Sequence, residues 1–194
     1  MLIYASSCKD YYAAHGEAFI GSAMKHGHKV KVDMADSFSK NELKCDSQRT
    51  FNCFVRFLRL PEMLEQDDVL VMDIDSIINQ PIIFNCDMAL FFRPWVPSHR
   101  HDLKVLLTVS YWSKASKPFA ERVRERLLGQ VNKWGDDQAV VWRTYLEMGD
   151  RFDIKSLDQD FANYYFDREA PIWTCKGPGR KDNEVYLARK NAYH

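Results

Sequence analysis

Two carboxylates separated by one residue, Asp73-Ile74-Asp75, close the apolar run Val69-Leu70-Val71-Met72. Hard carboxylate oxygens at the end of a buried segment suit a hard divalent cation held jointly by protein and phosphate oxygens. The spacing alone is permissive, because eighteen Asp in the chain give about 1.7 such pairs by chance. Asp158-Gln159-Asp160 is indeed a second pair, but it lies in a polar stretch that reads as a solvated loop. A second group, Lys176-Gly177-Pro178-Gly179-Arg180-Lys181, sets three cations around two glycines. Such a backbone can approach an anion while long side chains neutralise it, which fits a diphosphate; a solvated basic turn has the same composition. The third group is Asp136-Asp137-Gln138. A helix-start cap accounts for Asp136, while Asp137 and Gln138 exceed what a cap needs and suit sugar hydroxyls.

These groups have to be positioned by regular elements. Leu2 to Ala5 is a short apolar run before Ser6-Ser7, and Tyr12, Phe19, Ile20 and Met24 then recur with helical spacing. Lys29 to Asp33 alternates as a strand, so the chain opens as an α/β unit. Phe54, Phe57, Leu58 and Leu60 share a helical face over 52–64, interrupted by Pro61. The run 69–72 between acids reads as a buried parallel strand, and open α/β sheets bind ligands beyond the carboxyl ends of such strands. Further strands are expected at 82–84, 88–92 and 105–109, with a polar loop through His99 and His101. Phe119, Val123, Leu127 and Val131 mark an amphipathic helix; Val141, Tyr145 and Met148 mark another, begun by Asp136 and stopped by a left-handed Gly149.

The chain has 194 residues, 27 basic and 27 acidic side chains, and 46% hydrophobic residues, which fits one globular domain. Zero formal net charge without a basic run argues against a broad nucleic-acid or anionic-membrane footprint. Twelve Phe, nine Tyr and five Trp can build a substantial core and argue against disorder. The first residues lack a basic leader and a long apolar stretch, so no signal peptide is expected, and no run reaches the ~20 apolar residues of a membrane span. Five scattered cysteines without a Cys-x-x-Cys pair read as reduced thiols in a cytoplasmic setting. His99 and His101 read as loop residues, Trp95, Trp112 and Trp173 as core or rim packing or sugar platforms, and Cys175 as an ordinary thiol.

Taken in order, the motifs resemble the GT-A nucleotide-sugar glycosyltransferases, and particularly the small glycosyltransferase-family-8-like group that includes phage and bacterial enzymes. The resemblance runs nearly end to end. It implies a single minimal GT-A, Rossmann-like domain over 1–194, with a mixed, mostly parallel sheet flanked by helices. Residues 1–80 would form a nucleotide-binding half and 81–194 a donor-sugar and acceptor half. The family's nucleoside grip falls on Tyr4, Ala5, Ser6, Ser7 and Asp10 or Tyr11. Its pre-motif helix, aromatic-x-Arg-x-x-x-x-Pro-Glu, is matched by Phe54 to Glu62, so that Arg56 would reach the donor. Asp73-Ile74-Asp75 looks like the family's Asp-x-Asp motif, whose acids bind Mn2+ (or Mg2+), the diphosphate and the ribose.

The stretch Lys104 to Lys114 resembles the one that walls the donor sugar and acceptor, and Trp134 to Gln138 the family's Asp-Gln helix start. The closing motif, His-x-Lys-Gly or His-x-x-Gly in the family, reads Thr174-Cys175-Lys176-Gly177 here. Its histidine, the third metal ligand, is thus missing, and water, Asp73 or a residue such as His194 would stand in. The resemblance implies hexose transfer from a UDP-sugar, UDP-glucose or UDP-galactose foremost, to an unknown acceptor hydroxyl. Asp136, Asp137, Gln138, Lys176, Gly177 and Arg180 would complete the site, with Asp137, Gln138 and Lys176 catalytic. In a retaining reaction, which the resemblance favours, Asp137 and Gln138 hold the donor; in an inverting one Asp137 is the base. The short length leaves few residues for an acceptor domain, so the acceptor pocket would be shallow or would be completed by a second subunit of a homo-oligomer. Two other readings compete: a catalytically lapsed nucleotide-sugar binding module, and a haloacid-dehalogenase-like phosphotransferase. The latter places its Asp-x-Asp on an early strand.

Overall fold

The computed structural model describes residues 1–38, 43–175, 177 and 179–193. In chain order the elements are β1 (Leu2–Ser7), α1 (Lys9–Lys25), β2 (Lys29–Met34), α2 (Gln48–Met63), β3 (Val69–Met72), β4 (Ser76–Ile78), β5 (Met88–Phe92), β6 (Val105–Trp112), α3 (Lys117–Leu128), α4 (Asp136–Met148), β7 (Ile154–Ser156), β8 (Ala162–Asn163), β9 (Ile172–Thr174) and α5 (Glu184–Asn191). Six strands form the central sheet in the order β2-β1-β3-β6-β5-β7, and β4-β9-β8 form a smaller one. The central pairings are parallel except where β6 runs against β3 and β5. A mixed, mostly parallel α/β sheet flanked by helices is the architecture expected from the sequence.

Two cores follow from the period of two along the strands. Tyr4, Val69, Val71, Leu90 and Leu107 face α2, α3 and α4, among Phe54, Phe57, Phe119 and Val140. Ile3, Ala5, Leu70, Met72, Ala89 and Leu106 face the other way, onto Phe19 of α1 and Ile78 and Ile172 of the small sheet. β3 reads as an unbroken apolar run because both of its faces are covered. Trp173, Tyr186 and Ile77 form a third cluster that fastens α5.

Several local expectations are corrected. The apolar run 82–84 is not a strand: Ile82 is buried, Ile83 is exposed and Phe84 stacks on Tyr111 at 4.1 Å, so the segment packs inward as coil that pairs with no strand among the described residues. α2, expected to continue past Pro61, does so, with the one ladder bond that an N–H at residue 61 would give to the Phe57 carbonyl missing from its last turn. α3 ends at Leu128, leaving Val131 exposed. Gly149 is not a left-handed stop, since its φ is −64°; a Cβ there would meet the Tyr145 ring at 2.7 Å, so room rather than backbone freedom calls for glycine. Gly135, not Asp136, precedes α4, with φ +91°, a conformation that side chains with a Cβ adopt at a cost.

Candidate active site

The turn 73–75 follows the carboxyl end of β3, where the adjacent strand β6 runs antiparallel. The Asp73 amide donates to the Thr108 carbonyl at 2.9 Å, and the Cys175 amide to the Asp75 carbonyl at 3.3 Å. The turn is thus tied to both sheets. Asp75 is buried and Asp73 half-buried.

α2 brings Arg56 beneath this turn. Arg56 is buried; its Nη1 reaches Asp73 Oδ1 at 2.5 Å, and its Nη2 donates to the Leu107 carbonyl at 3.0 Å and stands 4.0 Å from Asp137 Oδ2. Burial opposes its charge, yet Asp73 and Asp137 hold the guanidinium above its usual pKa. Asp75 is served from elsewhere: Tyr11 Oη donates to Oδ2 at 2.5 Å, and Lys181 Nζ lies 3.6 Å from the same oxygen and over the Tyr11 ring. Burial, and then the like charge of Asp73, push the Asp75 carboxyl up to about 6. Burial and the Asp75 charge also raise Tyr11, which remains a phenol. Cys175 is pushed up to about 12 by burial and by Asp75, an inert thiol as expected.

α4 supplies the opposite wall. Asp136 does not cap the helix; its carboxylate accepts from the Lys133 amide at 2.7 Å and closes the turn ahead of it. Asp137 is buried, its Oδ1 accepting from the Gln138 amide at 2.8 Å. Arg93, to which no sequence signal pointed, donates through Nη2 to Gln138 Oε1 at 2.8 Å and to the Val105 carbonyl at 3.2 Å. A hollow of about 40 Å³ lies between Arg56, Asp73, Thr108, Trp134, Asp137 and Gln138, room for a few water-sized groups of a ligand. A wider hollow of about 740 Å³ beside α5, lined by Lys25, Trp173 and Arg189, shares no residue with this cluster.

The remaining sequence-selected residues fall in three places. Tyr4 and Ala5 are buried in β1, the Tyr4 hydroxyl donating to Asp33 at 2.9 Å; Ser6 and Ser7 turn their hydroxyls to the carbonyls of Asn52 and Cys8, and Ile74 packs in the core. Gly177, at φ +103°, lets Arg180 pass so close that a Cβ would stand 2.8 Å from its Nη1, and Arg180 lies over the rings of Tyr164 and Tyr165. Lys176 and His194 lie outside the described residues. Trp112 and Trp173 are core and Trp95 is exposed, while Asp158 and Asp160 sit in a solvated turn.

Asp73 and Asp75 fit a hard divalent cation. Their bonds to other described residues engage Asp73 Oδ1 and Asp75 Oδ2, so each carboxylate keeps a second oxygen, and the mutual repulsion that raises Asp75 is what a cation relieves. Thr174, at the place of the expected histidine, is buried in β9 opposite Ser76, and among the described residues no third His, Cys, Asp or Glu joins the two acids. Further positions would fall to ligand and water oxygens.

No protein-family model matches the chain, and no curated protein matches it. Solved structures do, and the class they define is the GT-A type of nucleotide-sugar glycosyltransferase fold. In particular, a glycosyltransferase involved in the glycosylation of the major capsid of PBCV-1 is 13% identical, with a TM-score of 0.59, over 99% of this chain and 98% of its own. The galactosyltransferase LgtC, solved with donor and acceptor sugar analogs, is 11% identical with a TM-score of 0.61, over 99% of this chain and 96% of that one. The glycosyltransferase GlyE of Streptococcus pneumoniae TIGR4 is 14% identical with a TM-score of 0.59, over 97% of this chain and 59% of its own. Identities this low speak to the fold; the chemistry has to be argued from the site.

Proposed function

We infer that the chain is a divalent-cation-dependent glycosyltransferase that moves a hexose from a UDP-sugar, UDP-glucose or UDP-galactose foremost, to an acceptor hydroxyl with retention. One observation carries this reading: Asp73, Asp75, Arg56, Asp137 and Gln138, from β3, α2 and α4, converge at the carboxyl ends of the strands in a GT-A fold. The neighbours' sugar chemistry agrees with it.

Transfer breaks the bond between the anomeric carbon and a phosphate oxygen. The electron pair leaves with the diphosphate, and the sugar gains oxocarbenium character. Asp73 and Asp75 would hold Mn2+ or Mg2+, which would supply positive charge to the phosphate oxygens. Lys181, beside Asp75, would offset that charge as it grows, and the resemblance assigns the same role to Lys176 and Arg180. Arg56 fixes Asp73 and Asp137 in one frame, and Asp137 and Gln138 hold the sugar hydroxyls. The acceptor oxygen bonds to the anomeric carbon on the face the phosphate leaves, and its proton passes to the departing phosphate oxygen. Asp137 holds the donor and takes no proton in this scheme.

Thermal unfolding with UDP, UDP-glucose, UDP-galactose, GDP and ADP, each with and without Mn2+, tests the reading, because ligands that bind only the native state raise Tm. A uridine-selective, Mn2+-dependent rise that Asp73→Ala and Asp75→Ala abolish is expected, and no shift with any nucleotide sinks it. Thr174 in place of histidine favours one second reading, a lapsed nucleotide-sugar binding module; UDP binding without hydrolysis or transfer would identify it.

A further inference from the structure

Arg93 follows β5 just past the register shift between Leu90 and Phe91, an irregularity of the kind that re-aims the residues after it. Its Nη2 is anchored on the Val105 carbonyl of β6 and bonded to Gln138 Oε1. An arginine side chain has donors only. The Gln138 atom that faces it must therefore be the carbonyl oxygen, and the NH2 group must point away. The reverse orientation would set donor against donor in a half-buried site, at the cost of the one bond between them and two donors left facing each other. Among the described residues no acceptor takes the Nε2 hydrogens, and Gln138 lines the same hollow as Arg56, Asp73 and Asp137.

We propose that Arg93 is a positioning residue that locks the Gln138 amide, so that Gln138 meets the donor as a hydrogen-bond donor through Nε2 and selects a sugar oxygen that accepts. Oε1 is withdrawn from the reacting centre: it neither accepts from a sugar hydroxyl nor approaches the anomeric carbon. The assignment rests on the nucleotide-sugar reading above. It separates two functions within one ligand, since the amide addresses the hexose while Asp73 and Asp75 address the diphosphate.

Calorimetric titration of UDP, UDP-glucose and UDP-galactose in Mn2+ tests it on the parent, Arg93→Met, Arg93→Lys, Gln138→Glu and the double variant Arg93→Met/Gln138→Glu. Gln138→Glu decides most. Its carboxylate pairs better with Arg93 but lacks the NH2, so it should weaken UDP-sugar binding about tenfold, the worth of one hydrogen bond, with UDP binding unchanged within about twofold. Arg93→Met keeps the NH2 but frees the amide to turn, so it should give a smaller selective loss, about two- to threefold, and the double variant no more than about the tenfold of Gln138→Glu, whereas Arg93→Lys, which still donates to Oε1, should keep most of the affinity. If Arg93→Met fails to fold, Arg93→Lys and Gln138→Glu carry the test. Parent-like UDP-sugar binding by Gln138→Glu overturns the proposal, and so does an equal loss of UDP and UDP-sugar in Arg93→Met, the mark of a structural role. A parent that binds no uridine nucleotide overturns the underlying reading as well, an outcome distinct from a parent that binds and variants that do not differ.

Discussion

Replacing Arg56 by Met keeps an unbranched stem of similar bulk and removes only the charge and its donors. In the parent Arg56 is 5% exposed, and its guanidinium stands 2.5 Å from Asp73, 4.0 Å from Asp137 and 3.0 Å from the Leu107 carbonyl. Two carboxylates lose their shared cation and one carbonyl its donor. Removing one partner of a buried ion pair costs about 3–5 kcal/mol. The Asp73 side chain is 30% exposed and Asp137 8%, so water recovers part of the Asp73 charge and little of the other. The lower end applies, about 3 kcal/mol, or a fall of about 6–12 °C in Tm for a chain of this size. Urea unfolding followed by circular dichroism at pH 7.5, with chelator present, reads it directly. Arg56→Met/Asp137→Asn, with one orphaned carboxylate removed, should recover at least about 1 kcal/mol. A single variant within about 0.5 kcal/mol of the parent, with no recovery in the double, would refute the claim that a buried cation holds the two acids together.

Asp75→Asn trades function for stability. Because the folded carboxyl is raised from 3.8 to about 6, its contribution to stability is full below 3.8 and lost as pH rises through about 6. In cation-free buffer the variant should therefore outlast the parent at pH 7.5 but not at pH 4, and it should lose its Mn2+ response; the same difference at both pH values contradicts this. His15 works in the opposite sense. Burial, then Lys190 and Lys181, lower it from 6.5 to about 4, so the stability it contributes is present above 6.5 and lost as pH falls through about 4. His15→Phe should flatten the acid limb of a Tm-against-pH curve, and an unchanged limb would clear His15 of that role. Gly135→Ala should cost about 1–2 kcal/mol in urea unfolding, since φ +91° penalises a Cβ; an unchanged midpoint would show that the turn before α4 relaxes freely.

What was legible in the sequence was what repeats. β1, α1, β2, β3, α3 and α4 each carry a period or an unbroken apolar run, and Asp73-Ile74-Asp75 stood out because a buried strand precedes it. The run 82–84 misled because Ile82 and Phe84 do point inward with the alternation of a strand, but from coil that has no partner. β7, β8 and β9, two or three residues each, are too short to show any period. In the site, Arg56 and Gln138 stood in readable motifs. Lys181 stood in the basic motif, but nothing in the sequence tied it to Asp75; Arg93 stood in none, because its partner lies far away along the chain and only folding brings Arg93 to Gln138.

The pairing of β4 with β9 sets Ser76 opposite Thr174 and ties the Asp75 turn to a segment made much later. At about 5–20 residues per second, roughly 5–20 s of synthesis separate the emergence of the two. For roughly the first third of that interval β3 also lacks β6, so the nascent chain has an apolar strand paired with β1 on one side and open on the other, followed by two carboxylates still in water. Asp75 reaches its buried setting only once the chain has been made through Cys175 and beyond. Copies that stop after α4 but short of Cys175 would therefore hold all the residues of the Arg56–Asp73–Asp137 cluster yet leave Asp75 without the Cys175 amide and without Lys181, so assembly order separates the two carboxylates of one turn.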